Sequence, residues 1–441
     1  MMDRKPRIGV FGLGRGRDLM NKVNLCGGQL VAVCDRITSK LPRAAEFISP
    51  DGGYYEDFDE FIKHDMDAVI IANYFNCHAE YAIKAMKAGK AVLSECTPAA
   101  TMAECVELVR TAEETGMTYM LAENYPYTAS SQELRRVYKS GRIGEVMFAE
   151  GEYVHPISSN GLAKIAPAVP EGTSQNVDEM ANPKYHWRRW LARTYYSTHS
   201  MAPLMYATDL IPKSVTAVAA CIPEEAEKDI RFAGDGAAPM FVEMSNGAIF
   251  RITGSVNYGP SGSWYRLACT EGGVETIRGN RPTIRLSFPP ENLPAGVTQA
   301  EQIYTPDFPV QAELAKNAGH GGGDFFVVYN FIQALKNGTT PYFDVYRSVA
   351  LSEMAILGWR SVIAGGVKFE IPDLRIEANR KKWENDRLTP FPVNETGEGA
   401  TLPCISRNIA THFYDDKPVQ KVVPGNEASA FDADGTVKEV K

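Results

Sequence analysis

Short runs of apolar residues alternate with stretches of helical periodicity along the first part of the chain. Five such runs cover residues 7–11, 30–34, 68–72, 91–94 and 118–122. A run that is apolar throughout is typical of a parallel strand that is buried on both faces. The stretch after the fourth run begins with Thr101 and Glu104 at capping-box spacing, and its apolar positions then recur at helical intervals. Repeated strand-then-helix order predicts an α/β fold with a doubly wound parallel sheet.

From about residue 125 the pattern changes to segments in which apolar and polar residues alternate. These strand-like segments cover residues 145–155, 214–220, 240–245, 248–255 and 265–269. Asn246-Gly247 between two of them is a strong hairpin signal. The pattern predicts a second, α+β domain with a large, mainly antiparallel open sheet.

The three parts of the chain are predicted to be residues 1–124, 125–371 and 372–441. The first is the parallel-sheet domain and the second is the open-sheet domain. Residues 372–441 are richer in charge, proline and glycine. We expect them to form an extended or partly helical arm over the surface, or a dimer contact.

A glycine-rich turn, GLGRG at residues 12–16, follows the first apolar run. Gly12 permits a tight turn, Gly14 lets the backbone approach a pyrophosphate, and the next helix offers its N-terminal N–H groups to the phosphates. The third glycine, Gly16, stands one position earlier than in the G-x-G-x-x-G pattern. An ordinary glycine turn between a strand and a helix is the alternative interpretation.

Asp35 ends the second apolar run, 19 residues beyond Gly16. A carboxylate at this position can accept hydrogen bonds from the adenosine ribose hydroxyls. The sequence therefore predicts a Rossmann domain with NAD as its cofactor, because a 2′-phosphate would face the negative charge of Asp35. Arg36 next to it keeps NADP open.

Polar and aromatic residues follow the later strands of this sheet, at the edge where open α/β sheets bind ligands. The loop from Asn73 to His78 is the first example, and Glu95-Cys96-Thr97-Pro98 is the second. The residues that we predict on these grounds to contact the cofactor are Gly12, Gly14, Arg15, Gly16, Asp35, Asn73 and Phe75.

Composition excludes several classes of function. The net charge of −8, without any run rich in lysine and arginine, argues against a nucleic-acid partner. No apolar stretch approaches the roughly 20 residues that span a bilayer, and the early first strand leaves no room for a signal peptide. The eight cysteines are scattered, without a C-x-x-C pair or a His/Cys cluster. We therefore expect a cytoplasmic protein with reduced thiols and without a metal site.

Histidine, tyrosine and arginine concentrate in a few stretches of the second domain. These stretches are residues 153–155, 186–190, 195–199 and 320–324. Tyrosine and histidine together can supply a general acid and a general base for a sugar hydroxyl or a carbon acid. His320 precedes three glycines, which indicate close approach of the backbone to a ligand. Arg188 and His320 are predicted to bind substrate, although packing roles are the alternative for this part of the chain.

Four motifs of the first domain together resemble the Gfo/Idh/MocA oxidoreductases, which are named for glucose–fructose oxidoreductase and inositol dehydrogenase. The motifs are Val69-Ile70-Ile71-Ala72, His78-Ala79-Glu80, Ala85-Met86-Lys87-Ala88-Gly89-Lys90 and Ser94-Glu95. The resemblance covers roughly residues 5 to 370 and implies the same two-domain fold. In most members the glutamate is followed by a lysine that assists deprotonation of a hydroxyl, and Cys96 takes that position here.

A second set of motifs resembles the NAD-dependent α-N-acetylgalactosaminidases within that family. These are Glu123-Asn124, Gly151-Glu152-Tyr153-Val154-His155, Tyr196-Ser197-Thr198-His199 before Pro203, and His320-Gly321-Gly322 before Asp324-Phe325. The likeness implies that five residues line the sugar pocket and act in catalysis: Glu123, Tyr153, His155, Tyr196 and His199. It implies further cofactor contacts at His78, Glu95, Cys96 and Asn124. Ser200 and Ala202 replace glycines that usually follow the third motif, so the sugar specificity does not transfer.

Three functions follow as hypotheses. The first is a redox-neutral glycosidase, in which NAD oxidises C3 of a bound sugar, Tyr196 or His199 removes the C2 proton, the C1 group leaves, water adds and C3 is reduced again. The alternative is an NAD-dependent sugar or polyol dehydrogenase with a substitute for the lysine. The third is a non-catalytic NAD-binding protein. A sugar or glycoside is the expected substrate, and the family resemblance implies a homo-oligomer, either a dimer or a tetramer.

Overall fold

The first sheet of the protein is fully parallel. The computed structural model describes residues 3–156, 187, 190–221, 235–256, 259–392 and 399–406. Six strands form this sheet: β1 Arg7–Phe11, β2 Gln29–Cys34, β3 Ile48–Tyr55, β4 Ala68–Ile71, β5 Ala91–Ser94 and β6 Tyr119–Leu121. Their order is β3-β2-β1-β4-β5-β6. The order reverses between β1 and β4, and a dinucleotide crevice is expected at the carboxyl ends of these two strands. The doubly wound parallel sheet that the sequence predicts is confirmed.

Helices connect these strands as the apolar periodicity predicts. They are α1 Gly16–Val23, α2 Phe58–Phe61, α3 His78–Lys87 and α4 Met102–Thr115. The capping box at the start of α4 is present, with Thr101 and Glu104 each accepting a backbone N–H of the other residue. Strand β3 was not predicted, because Pro50 and Gly52-Gly53 lie within it. An edge strand tolerates such residues, and β3 is an edge of this sheet.

The second sheet has nine strands and confirms the large, mainly antiparallel open sheet. It comprises β7 Val146–Val154, β8 Pro212–Ala217, β9 Pro239–Met244, β10 Ile249–Thr253, β11 Gly262–Cys269, β12 Gly272–Ile277, β13 Asn280–Ser287, β14 Glu301–Tyr304 and β15 Phe369–Glu370. Their order is β14-β13-β12-β11-β7-β10-β9-β8-β15, and among these described strands β7 and β10 pair in parallel, whereas the other neighbours pair antiparallel. The predicted hairpin at Asn246-Gly247 joins β9 and β10.

Helices cover one face of this sheet. The described helices of the second half are α5 Ala129–Lys139, α6 Thr198–Thr208, α7 Ala312–Ala315, α8 Gly323–Asn337, α9 Val345–Ile363 and α10 Glu377–Trp383. Helix α9 packs against both α4 of the first half and β8 of the second sheet. Phe250 and Ile252 on the covered face are fully buried, whereas Phe241 and Ile249 on the other face are exposed. The helices therefore join the two sheets and leave the outer face of the second sheet open.

The chain beyond residue 371 folds back onto this core as far as it is described. Arg360 in α9 forms an ion pair of 2.5 Å with Asp386, and the indole of Trp359 donates to the carbonyl of Pro403 at 2.7 Å. The boundaries at residues 124 and 371 stay predictions. No helix in the described ranges has both the length and the apolar character that a membrane crossing requires.

Candidate active site

The glycine turn after β1 has the geometry of a dinucleotide-binding turn. Gly12 has a φ of +90°, and a Cβ there would lie 2.5 Å from the carbonyl group of Ala72 at the end of β4. A Cβ on Gly16 would lie 2.9 Å from the side chain of Val10. Gly16 thus provides the close helix–strand packing that the third glycine of the motif normally provides, despite its earlier position.

Asp35 lies at the edge of the same turn and is 6% exposed. Its two carboxylate oxygens accept the backbone N–H groups of Leu13, at 2.7 Å, and Ile37, at 2.9 Å. An ionised carboxylate has about four acceptor positions, so lone pairs remain for ribose hydroxyls. Asp35 therefore shapes the glycine turn as well as facing the predicted ribose site.

Two buried amide groups at this edge fit a nicotinamide cofactor. The side-chain oxygens of Asn73 and Asn124 have no hydrogen-bond partner among the described residues. Buried polar atoms are normally satisfied, and a carboxamide is a group that could satisfy them. With the glycine turn and Asp35, these atoms support the prediction that residues after β1, β2, β4 and β6 hold NAD.

Two other predicted cofactor residues pack against neighbouring loops. The ring of Phe75 stacks on Trp187 with 4.6 Å between centroids. The ring nitrogens of His78 lie 3.0 Å from the carbonyl of Thr97 and 3.3 Å from that of Asn73, and the residue is 2% exposed. Burial lowers the pKa of His78 to about 4. A neutral imidazole has one N–H, which can donate to only one of these two carbonyls, and the contact with Thr97 is the shorter.

Arg15 in the glycine turn links the two domains. Its guanidinium donates to Glu95 at 2.9 Å and forms a two-bond pair with Asp324 at 2.6 and 3.0 Å. Asp324, on the first turn of α8, also accepts from Asn124 at 2.8 Å and lies 2.8 Å from Nδ1 of His320. Burial opposes ionisation of Asp324, but the hydrogen bonds from His320 and Arg15 hold its pKa far below the usual range.

A close backbone approach makes this link possible. A Cβ on Gly323 would lie 2.3 Å from the carbonyl oxygen of Asn124. Only glycine leaves room for the start of α8 to reach the end of β6. The glycine at position 323 thus lets Asp324 reach Arg15 and Asn124, which gives a structural reason for the pattern that the sequence analysis singled out.

Glu123, His199 and Cys96 meet in a buried cluster at the carboxyl ends of β5 and β6. Oε1 of Glu123 lies 2.7 Å from Nδ1 of His199, and its Oε2 lies 3.0 Å from the sulfur of Cys96. The three residues are at most 9% exposed. Burial opposes ionisation of Glu123, but the charge and the hydrogen bond of His199 outweigh it and lower its pKa. An ionised Glu123 can only accept, so Nδ1 of His199 carries a proton, and in the neutral imidazole Nε2 is the acceptor.

Cys96 cannot replace the lysine as a base at neutral pH. Burial, together with the negative charge of Glu123, raises the pKa of the thiol well above its usual value. The thiol therefore stays protonated and donates to Glu123. This finding weakens the hypothesis of a dehydrogenase in which Cys96 takes over the role of the lysine.

Three tyrosines surround the imidazole of His199. Its ring centroid lies 4.7 Å from those of Tyr125 and Tyr153 and 5.1 Å from that of Tyr196. His155 lies next to this group, with its ring stacked on Tyr153 at 5.8 Å. Four of the five residues predicted to act in catalysis thus form one wall of the candidate active site: Tyr153, His155, Tyr196 and His199. Glu123, the fifth, lies behind this wall.

The position of His199 follows from the way α6 packs on β7. A Cβ on Gly151 would lie 2.1 Å from the carbonyl oxygen of Ser200, so α6 approaches the strand closely. The phenol of Tyr265 donates to the carbonyl of His199 at 2.6 Å. These contacts place His199, on the first turn of α6, directly beside Tyr153.

The remaining predicted substrate residues have different outcomes. His320 lies at the rim, with its side chain 46% exposed and its ring 6.5 Å from that of Tyr125. Arg188 lies outside the described residues.

Tyr125 and Asp324 were not predicted as site residues. Tyr125 directly follows Glu123-Asn124 at a strand end, and that position is the signal that could have identified it.

Two family models match the chain. Residues 6–123 match the oxidoreductase family with an NAD-binding Rossmann fold, Gfo/Idh/MocA, and residues 300–385 match the C-terminal domain of glycosyl hydrolase 109. A glycosyl hydrolase family 109 protein of Solibacter usitatus is 28% identical over 415 residues, which cover 86% of this chain and 89% of that protein. An alpha-N-acetylgalactosaminidase of Tannerella forsythia is 25% identical, with coverage of 86% and 88%.

Solved structures share the fold at lower sequence identity. A levoglucosan dehydrogenase in complex with NADH has a TM-score of 0.67 and 16% identity, and the match covers 84% of this chain and all of that one. A myo-inositol 2-dehydrogenase from Lactobacillus plantarum has a TM-score of 0.61 and 19% identity, with coverage of 84% and 100%. Residues 6–123 of the chain are thus similar to the NAD-binding domain of the Gfo/Idh/MocA oxidoreductases, and residues 300–385 are similar to the C-terminal domain of glycosyl hydrolase 109.

Proposed function

We propose that this protein is an NAD-dependent, redox-neutral glycosidase, with His199 as the base that removes a proton from C2 of the bound sugar. The observation that carries the proposal is the Glu123–His199 hydrogen bond of 2.7 Å. It lies at the carboxyl ends of the parallel strands, where NAD is predicted to bind. The match to the glycosyl hydrolase 109 C-terminal domain and the similar glycosidases support the same chemistry.

NAD, when bound, supplies the oxidation of a sugar ring carbon and its later reduction. Oxidation at C3 makes the neighbouring C2 proton acidic. His199 can take that proton on Nε2, because Glu123 accepts a hydrogen bond from the N–H of Nδ1 and its charge stabilises the imidazolium that forms. The C2 electron pair then expels the group at C1, water adds there, and His199 returns a proton to C2.

The tyrosines of the wall have a separate task. Tyr125, Tyr153 and Tyr196 surround His199 and restrict the access of water to its imidazole. Tyr196 is the candidate acid for the leaving oxygen at C1, since its phenol is a proton donor on the same wall as the base. Such an arrangement does not need the two carboxylates that ordinary glycosidases place on either side of the bond.

A sugar or polyol dehydrogenase remains the competing function, and stoichiometry distinguishes the two. A dehydrogenase accumulates one NADH for each sugar oxidised. The proposed glycosidase releases a free sugar without net NADH and exchanges the C2 proton with solvent. A catalytically silent NAD-binding protein shows neither.

The test is incubation of the NAD-loaded protein with a panel of p-nitrophenyl glycosides, with p-nitrophenol release and NADH absorbance followed together. Release without NADH accumulation supports the proposal. Accumulation of NADH in proportion to the sugar consumed would establish the dehydrogenase instead. His64→Ala is a suitable histidine control, because His64 contacts Tyr55 beside β3, away from the cluster.

Compartment and assembly belong to the same proposal. The eight cysteines are scattered along the sequence without a C-x-x-C pair, which supports a reducing, cytoplasmic environment. The open face of the nine-stranded sheet exposes Phe241 and Ile249 beside charged side chains, which supports pairing of subunits into a dimer or tetramer. Light scattering after size exclusion measures the assembly, and a monomer at micromolar concentration would contradict it.

A further inference from the structure

We propose that Cys96, Glu123 and His199 form a site for one thiophilic divalent cation of the zinc class, and that the bound cation inhibits the enzyme. The inhibitory part rests on the proposed function, whereas the binding part does not. The spacing of these residues along the chain gives no sign of a metal site, since they lie 27 and 76 residues apart.

The three ligand groups already lie next to one another. The sulfur of Cys96, a carboxylate oxygen of Glu123 and a ring nitrogen of His199 are all within 4.8 Å of one another. Thiolate, imidazole and carboxylate are the usual zinc ligands. Tetrahedral zinc with bonds of about 2.0–2.3 Å separates its ligand atoms by roughly 3.4–3.6 Å. The hydrogen bonds of 2.7 and 3.0 Å, which run to the two different oxygens of Glu123, are each about 0.6–0.7 Å shorter than these separations and would open as the ion enters.

The charge around the cluster also favours a cation. Three carboxylates meet here, those of Glu95, Glu123 and Asp324, and each is at most 12% exposed at its side chain. Arg15 is the only arginine or lysine of the described chain within ion-pair distance of any of them. A dication bound to Glu123 would offset this excess of negative charge, and three protein ligands would leave a fourth position for water or a substrate oxygen.

Inhibition follows from the identity of the ligand atoms. The cation would take Nδ1 of His199 and the carboxylate of Glu123, which are the two groups of the proposed base. It would displace the protons that now bridge His199 and Cys96 to Glu123. With the metal on Nδ1, the ring can carry a hydrogen only on Nε2, so the lone pair that accepts the C2 proton is lost.

Cobalt is the direct probe of the binding step. Co²⁺ titrated into the NAD-loaded, chelator-treated protein should produce a thiolate-to-cobalt charge-transfer band that saturates at one ion per chain, and Zn²⁺ should remove the band by displacement. X-ray absorption on the zinc-loaded wild type should show one sulfur neighbour at about 2.3 Å and nitrogen or oxygen neighbours at about 2.0–2.2 Å. Absence of the band, or a zinc shell without sulfur, would overturn the proposal without the use of any variant.

Variants then assign the ligands. Cys96→Ser should remove the charge-transfer band, and His199→Ala should weaken zinc binding by about 10-fold or more. Cys269→Ser is the matched control and should leave the band unchanged, because Cys269 lies on β11 of the second sheet. A band that survives in Cys96→Ser would place the cation elsewhere and overturn the proposal.

The inhibitory step is measured against each variant's own metal-free rate. Zinc should inhibit the wild type at the concentration at which it displaces cobalt from the site. Cys96→Ser should need about 10-fold more zinc for the same degree of inhibition. Zinc that fills the site without lowering the glycosidase rate would overturn the inhibitory part. If the wild type shows the band but cleaves no glycoside, the proposed function fails and the cation site stands.

Discussion

Nδ1 of His199 donates a hydrogen bond of 2.7 Å to Oε1 of Glu123, across the junction of the two domains. Glu123 follows the last strand of the parallel sheet and is fully buried, while His199 lies on the first turn of a helix that packs on the second sheet. The bond fixes the imidazole tautomer and leaves Nε2 directed away from the carboxylate. Proton chemistry at this site therefore depends on both domains.

The first prediction concerns this pair. His199→Ala and Glu123→Gln should each lower glycoside cleavage by about 10²–10⁴-fold, because the first removes the base and the second removes the charge that stabilises its imidazolium. NAD content, measured in the protein denatured after purification, should stay near that of the wild type. Cleavage at the wild-type rate in His199→Ala would remove His199 from the mechanism.

The second prediction concerns the link between Arg15 and Asp324. Asp324→Asn should speed NAD dissociation by about 10- to 100-fold, because the neutral amide cannot hold the guanidinium against the phosphate turn in a charged, two-bond pair. Dissociation can be followed by the change in tryptophan fluorescence after dilution into excess competitor. Arg17→Gln, at an exposed position on the first turn of α1, is the control. Slower dissociation in Asp324→Asn would mean that Asp324 competes with the phosphates for Arg15.

The third prediction concerns the choice of cofactor. Asp35→Asn keeps an oxygen that can accept the N–H of Leu13 but removes the charge that faces the ribose. Affinity for NAD should fall by about 10-fold, and the preference for NAD over NADP should shrink. Calorimetric titration with both dinucleotides checks this. An unchanged ratio of the two dissociation constants would show that Asp35 does not distinguish the 2′-hydroxyl of NAD from the 2′-phosphate of NADP.

The fourth prediction concerns the stability of the second domain as a function of pH. Burial raises the pKa of Glu353 in α9 well above its usual value, and one of its oxygens has no hydrogen-bond partner in the described chain. A raised folded-state pKa means that the folded state holds the proton more tightly than the unfolded state. The wild type should therefore lose stability as pH rises above about 4.3, the value of an unfolded glutamate.

Glu353→Gln removes this loss. The variant should be more stable than the wild type by about 1–3 kcal/mol at neutral pH, and the difference should vanish below about pH 4. Glu370→Gln, at an exposed position on β15, is the control and should change the free energy of unfolding by no more than about 0.5 kcal/mol. Denaturant unfolding at both pH values measures the effect, and a difference that is independent of pH would contradict it.

The sequence predicted those parts of the fold that depend on local patterns. The strand at residues 91–94 and the capping box at Thr101 depend on burial on both faces and on a short-range hydrogen bond, and both were found. Strand β3 was missed because its Pro-Asp-Gly-Gly segment has turn chemistry, which an edge position tolerates. Strands β12, β13 and β14 were missed as well. They pair in sequence next to β11 at one end of the nine-stranded sheet, and this pairing is not visible in the local pattern.

The site could be predicted only in part for a related reason. A strand end marked Glu95, and the family resemblance supplied Glu123, Tyr153, Tyr196 and His199. The sequence did not show that Arg15 crosses to Asp324, because 309 residues separate the two and the pair forms only when α8 reaches the end of β6. The meeting of Cys96 with Glu123 and His199 has the same origin, since three separate elements bring these residues together.

The most direct measurement of the central claim is the nuclear magnetic resonance spectrum of the sugar released by the NAD-loaded protein in D₂O. The account predicts deuterium at C2 of the product, with C3 still carrying hydrogen and without accumulation of NADH. A released sugar that retains its C2 hydrogen in full would contradict it, since His199 would then have removed no proton from that carbon.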